Sequence, residues 1–153
     1  MKTFIVDSNV ALIATGQIGE AWAVVILEEI AKGRFVGISD IFFLQEILDR
    51  FYFLGENYKG KKICRAFRKV MDKNLDATVL DFDLSYALFQ KSKTASPRDL
   101  IHAAIMKHAD ILDIFSIDGP NFDIINGIHT IHLPELLNSL ELKGHYLNER
   151  LNK

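Results

Sequence analysis

Short apolar runs alternate with longer segments of helical periodicity, and this alternation restricts the fold more than any other feature of the chain. The runs are Phe4 to Val6, Phe35 to Ile38, Thr78 to Leu80, Ile111 to Ile117 and Ile128 to Leu133. Between them, apolar residues recur at three- and four-residue spacing over Ala11 to Lys32, Ile41 to Leu54, Lys59 to Asn74, Leu84 to Lys91 and Pro97 to Ala109. Strands that are apolar on both faces must be covered on both. The expected fold is therefore α/β, a three-layer α/β/α sandwich around a central, mostly parallel five-stranded sheet. Two successive helices between the second and third strands leave room for a small helical projection. No repeat, low-complexity tract or linker interrupts the pattern, so residues 1–153 read as a single domain, with 134–153 as a C-terminal helical tail that begins amphipathic and ends polar.

Composition narrows the class of function. Hydrophobic residues are 49% and charged residues 25%, which excludes a disordered or coiled-coil chain. One cysteine, Cys64, can form neither an internal disulfide nor a thiolate zinc cluster, and this points to a reducing compartment. The start reads as no signal peptide and no apolar stretch is long enough to span a bilayer, so a cytoplasmic protein without membrane contact is expected. A net charge of -2 excludes binding of nucleic acid by bulk positive charge. Local charge is another matter. Between Lys59 and Lys73 lie seven basic residues, and Arg65, Arg68 and Lys69 fall on neighbouring helical turns opposite Ile63, Phe67 and Val70. That face is either simply solvated or a grip for a nucleic-acid backbone.

In an open parallel sheet the functional crevice lies beyond the carboxyl ends of the strands, so acids at strand ends carry information. Asp7 follows Phe4-Ile5-Val6, and Asp118 follows the run that ends at Ile117. Each also has a local explanation, Asp7 as a helix cap and Asp118 in an Asp-Gly-Pro turn. Asp99 sits third in a helix opened by Ser96 and Pro97, where capping alone favours a carboxylate. Glu46 lies among apolar neighbours and is open to a surface pair with Arg50. Together they mean more. Two carboxylates about 5 Å apart repel by roughly 3 kcal/mol at an effective dielectric near 20. If the four converge, either their pKa values rise or a hard divalent cation, Mg²⁺ or Mn²⁺, offsets the charge.

In four places the sequence resembles the PIN domain family of metal-dependent nucleases, which includes the VapC-type toxins of toxin–antitoxin pairs. Phe4-Ile5-Val6-Asp7-Ser8-Asn9-Val10 is similar to the family's opening strand and first aspartate. Leu44-Gln45-Glu46-Ile47 is similar to its glutamate helix. Ser96 to Ala104 resembles the helix with the third acid, and Phe115 to Asp123 the strand-end acid with its following phenylalanine. The resemblance covers Lys2 to about Leu133 and rests on order and spacing rather than on any single motif. It implies a PIN-like fold and catalytic, metal-holding acids at Asp7, Glu46, Asp99 and Asp118, with Asp123 as a fifth ligand and Ser8 and Asn9 supporting them. It also implies Mg²⁺- or Mn²⁺-dependent hydrolysis of RNA to a 5′-phosphate and a 3′-hydroxyl, an antitoxin protein as partner, and a homodimer. The aromatic-rich Phe51-Tyr52-Phe53-Leu54, the long basic helix and the extended tail depart from the commonest family pattern.

Rival classes fit less well. A haloacid-dehalogenase-type phosphatase needs a second aspartate two positions after the first, where this chain has Asn9. A receiver-type domain places its acid on a mid-chain strand, for which Leu80-Asp81 is the one candidate. Glycine fingerprints for phosphate loops and dinucleotides do not occur. A non-catalytic RNA- or protein-binding module of the same fold is the main alternative. The histidines read as core or surface residues, since His129 and His132 fall on opposite faces of a strand and His102 and His108 diverge on one helix.

Overall fold

The computed structural model describes residues 1–16, 21–91, 94–117 and 119–139, and its five strands form one sheet in the order β3-β2-β1-β4-β5. They are β1 (Thr3–Val6), β2 (Val36–Asp40), β3 (Lys73–Leu75), β4 (Asp113–Phe115) and β5 (His129–Ile131), and every pairing is parallel. Ile5 of the central strand is opposite both Ile38 and Ile114. From β1 the chain builds outward through β2 to β3, then crosses back to place β4 on the other side. The order thus reverses between β1 and β4, and such a reversal opens a crevice beyond the carboxyl ends of those two strands.

Helices cover both faces. They are α1 (Ser8–Ala14), α2 (Ala21–Ala31), α3 (Ile41–Phe53), α4 (Asn57–Val70), α5 (Val79–Lys91), α6 (Pro97–His108), α7 (Gly119–Asp123) and α8 (Leu133–Ser139). The pleat of β1 divides its side chains between two cores. Phe4 and Val6 join one with Ile26, Ile47, Phe67 and Leu136, while Ile5 joins the other with Phe43, Leu100, Met106 and Phe122. All three strand residues are fully buried, and each such side chain stabilises by about 1.5–3 kcal/mol. This double cover makes β1 the rigid base on which its terminal acid rests.

The third strand lies earlier than the sequence pattern indicates. Thr78 to Leu80 is the start of α5: the Thr78 hydroxyl accepts the Asp81 N–H at 3.3 Å, and the Asp81 carboxylate accepts the Thr78 N–H at 2.7 Å. This reciprocal cap fixes a helix start. β3 instead runs along the sheet edge, where only Leu75 is buried, and so carries no apolar run. The helix expected over Lys59 to Asn74 accordingly ends at Val70, and the one expected from Leu84 begins at Val79. The long segment Ala11 to Lys32 divides into α1 and α2, with Thr15 as the C-cap of α1 and residues 17–20 outside the described residues. Only the start of the expected tail falls within the described residues, in α8, docked through buried Leu136; residues 140–153 lie outside them.

Gly60 records how closely α4 approaches α3. A Cβ at this position would lie 2.5 Å from the Phe51 Cβ, closer than packing allows. Alanine ordinarily stabilises a helix interior over glycine by about 1 kcal/mol. Here Gly60→Ala is expected to reverse that sign and destabilise the fold by ~1–3 kcal/mol through overpacking. Urea midpoints of the two proteins check it.

Candidate functional site

Asp7 stands where β1 ends and α1 begins. Its backbone N–H continues the sheet by donating to the Phe115 carbonyl at 3.1 Å, and its side chain caps α1 by accepting the Asn9 N–H at 3.2 Å. Capping and a place in the crevice are therefore both true of it. The Ser116 hydroxyl at the end of β4 donates to the second carboxylate oxygen of Asp7. Burial pushes the Asp7 pKa from 3.8 up to about 6, despite the hydrogen bonds from Ser116 and Asn9.

Glu46 meets Asp7 through Ser8. The Ser8 Oγ lies 2.6 Å from Glu46 Oε2 and 3.2 Å from Asp7 Oδ1. Arg98 Nε lies 3.0 Å from Glu46 Oε1, so Glu46 pairs across the cleft with α6 and not along its own helix with Arg50. His102 Nε2 approaches the same oxygen at 3.2 Å. Burial alone would raise the Glu46 carboxyl, but the hydrogen bonds of His102 and Ser8, with the charges of His102 and Arg98, hold it below 4.5.

The other ring nitrogen of His102 lies 2.7 Å from Asp40 Oδ2. Asp40 ends β2 and caps α3, its Oδ1 accepting the N–H groups of Phe42 at 2.9 Å and Phe43 at 3.0 Å. Asp40 and His102 are both buried, and the Phe43 ring stacks on the imidazole at 3.6 Å between centroids. Burial disfavours the charged ring, yet the hydrogen bonds to Asp40 and Glu46 outweigh it and push the His102 pKa from 6.5 up to about 9. As an imidazolium it donates to both carboxylates. Asp40 thus fixes the ring, and the ring fixes Glu46.

These groups line a cleft of about 430 Å³, together with Asn9, Asp49, Arg50, Phe53, Asp99 and Phe122. Asp99 faces this cleft from the first turn of α6, where its N–H donates to Ser96 Oγ at 3.1 Å and its carboxylate accepts the Ser96 hydroxyl at 2.7 Å. Asn9 Nδ2 donates to Ser116 Oγ at 3.3 Å. The structure therefore gathers Asp7, Glu46, Asp99, Ser8 and Asn9. Asp118 lies outside the described residues. Asp123 does not join the cleft: it is exposed and accepts the Thr130 N–H at 3.2 Å, which ties α7 to β5. Arg65, Arg68 and Lys69 are exposed on α4 and line no part of the cleft.

Oxygen-only carboxylate donors suit a hard divalent cation. Among the described residues Asp7 has only hydroxyl and amide hydrogen-bond donors, so no cationic side chain bonds to it. The donor chemistry fits Mg²⁺ or Mn²⁺, although among the described residues no three His, Cys, Asp or Glu side chains form a ready-made centre.

Sequence reasoning missed Asp40, Asp49, Arg98, His102 and Ser116. Asp40 ends β2 and Ser116 directly follows β4, but the apolar runs read from sequence end at Ile38 and Ile117, which hid both. For His102 the sequence leaves core and surface open, and the structure places it in the core between two carboxylates.

Comparison with solved structures gives a chain of the VapBC2 complex from Rickettsia felis, bound to a DNA fragment from their promoter. It superposes with a TM-score of 0.69 at 12% identity, covering 84% of this chain and 97% of the other. The fold is PIN-like. No family model and no curated protein matches the sequence. At this identity the PIN-like architecture is what the two chains share. Among the described residues, no helix is long and apolar enough to cross a membrane.

The paired shifts give the apoprotein a defined pH response. His102 binds its proton more tightly folded than unfolded, so its contribution is fully present below 6.5 and lost as pH rises through about 9. Asp7 is also raised, so its contribution is present below 3.8 and lost as pH rises through about 6. Urea stability is expected to fall between pH 6.5 and 9 in the native sequence and to lose that slope in His102→Gln.

Proposed function

We propose that this protein is a metal-dependent endoribonuclease that hydrolyses phosphodiester bonds in single-stranded or looped RNA, and that it serves as the toxin of a toxin–antitoxin pair. One observation carries the reading: Asp7 and Glu46 converge on Ser8 at the switch point of a PIN-like sheet, with Asp99 in the same cleft. Likeness to a chain of a VapBC complex supports the context. The exposed Phe53 at the cleft edge offers a protein inhibitor an apolar hold beside the site.

Bound Mg²⁺ or Mn²⁺ supplies Lewis acidity and lowers the pKa of water toward neutrality. Asp7, Glu46 and Asp99 would hold it, with Asp118 completing the set. His102, anchored by Asp40, keeps the Glu46 carboxylate oriented, as partners of metal ligands commonly do. Arg98 is largely exposed at the cleft and is placed to exchange its carboxylate for a substrate phosphate. Arg65, Arg68 and Lys69 would hold the RNA backbone outside the cleft. Water adds to phosphorus as the bond to the 3′-oxygen breaks, which leaves a 5′-phosphate and a 3′-hydroxyl. Splayed RNA enters such a crevice where a stiff duplex does not.

Asp7→Asn and Glu46→Gln are each expected to lower Mn²⁺-dependent cleavage of a labelled single-stranded RNA by at least the ~100-fold seen on losing a supporting residue. Circular dichroism should stay unchanged. Cleavage that persists in a chelator, or in Asp7→Asn, would contradict the proposal and leave a binding module.

A further inference from the structure

The pair of helices α3 and α4 carries three aromatic rings on its outside. Tyr52 and Phe53 end α3 and Tyr58 is the second residue of α4, with only Leu54, Gly55 and Glu56 between the helices. Their exposures are 67%, 82% and 76%. No core is open to them. Phe51 and Phe67 already fill the space beneath the pair, and Gly60 closes on Phe51 so tightly that not even a Cβ would fit. Exposed rings gathered at one place mark a contact surface.

Positive charge accompanies the rings. Helix α4 holds Lys59, Lys61, Lys62, Arg65, Arg68 and Lys69 and no acid. Among the described residues only Lys59 of these is ion-paired, to Glu56 at 3.0 Å. Tyr58, Lys62, Arg65 and Lys69 are spaced four, three and four, so one ring and three cations form a single exposed stripe. Lys62 Nζ lies 5.4 Å from the Tyr58 ring centroid, which puts cation and ring in one contact area. At the other end, Phe53 and Arg50 stand one helical turn apart and both line the acidic cleft. The ring-and-cation surface therefore begins at the cleft and ends along α4.

We infer that this surface is a stacking platform for unpaired RNA bases beside the cleft, with Tyr52, Phe53 and Tyr58 taking base faces while Lys62, Arg65 and Lys69 take phosphates. The inference rests on RNA as the ligand of the cleft. Two features select an unpaired strand over a protein partner. Protein interfaces are depleted of lysine, whereas aromatic rings set among lysines and arginines match a polymer that alternates flat bases with phosphates. The ring geometry is the second. Tyr52 and Phe53 lie 5.8 Å apart between centroids with their planes at 73°, so the two cannot extend one straight stack of bases. Only a strand whose bases splay apart meets both rings, and a duplex does not.

Fluorescence anisotropy on the full chain tests it, in chelator so that no strand is cut. The probes are a short, labelled, unpaired RNA of mixed sequence and an abasic strand of equal length, which keeps the phosphates and lacks the bases. The native chain is expected to hold the RNA at least about tenfold tighter than the abasic strand. Tyr52→Ala and Tyr58→Ala should each lower RNA affinity by about fivefold or more and leave the abasic strand unchanged. Lys62→Gln with Arg65→Gln should instead weaken both strands and flatten their salt dependence. Should the alanine variants misfold, Tyr58→Leu keeps apolar bulk without the ring and is expected to show the same selective loss. Metal-dependent cleavage is read separately, so base preference without cleavage supports the platform and removes only the nuclease reading. Equal binding of the two strands by the native chain, binding of neither, or folded tyrosine variants that hold RNA as the native chain does would overturn the inference and leave the rings to a protein partner.

Discussion

The carboxylates of Asp7 and Glu46 press against a single hydroxyl, that of Ser8, at the buried end of the central strand. Much of the surrounding structure follows from that proximity. Two negative charges in a partly dry crevice must be offset, and the protein does so unequally. Glu46 has a guanidinium and an imidazolium beside it and stays ionised. Asp7 is bonded by neutral donors and is pushed up toward neutrality. One carboxylate is held as a fixed anchor by cationic partners, while the other is bonded by neutral groups.

Sheet topology produces the meeting. β1 is covered on both faces, so its end cannot shift, and the reversal of strand order beside it keeps the space beyond β1 and β4 open. Asp40 links the neighbouring strand to the same space. One of its oxygens starts α3, which carries Glu46, and the other holds His102 of α6. Helix placement and charge placement are thus the same event, and a change at Asp40 would disturb both.

The site's acids were legible because they obey rules visible in sequence. Asp7 ends an apolar run, Asp99 follows a Ser-Pro helix start, and Glu46 lies among apolar neighbours. Asp40 obeys the same rule but was hidden, because β2 reads as ending at Ile38 and in fact continues through Ser39 to Asp40. Edge strand β3 was invisible for a physical reason: half solvated, it needs no apolar run. The start of α5 was misread because its apolar residues face outward, which breaks the expected link between hydrophobicity and burial. His102 shows a different limit. Its sequence context leaves core and surface open, and only the tertiary fold brings Asp40 and Glu46 to its two nitrogens.

The central claim is that the Asp7–Glu46 pair is a cation site, and a crystal soaked in Mn²⁺ tests it most directly through anomalous scattering. A peak within coordinating distance of both carboxylates, with Asp99 turned toward it, is the expected result. A crevice with no peak and Glu46 still paired with Arg98 at saturating Mn²⁺ would contradict the claim.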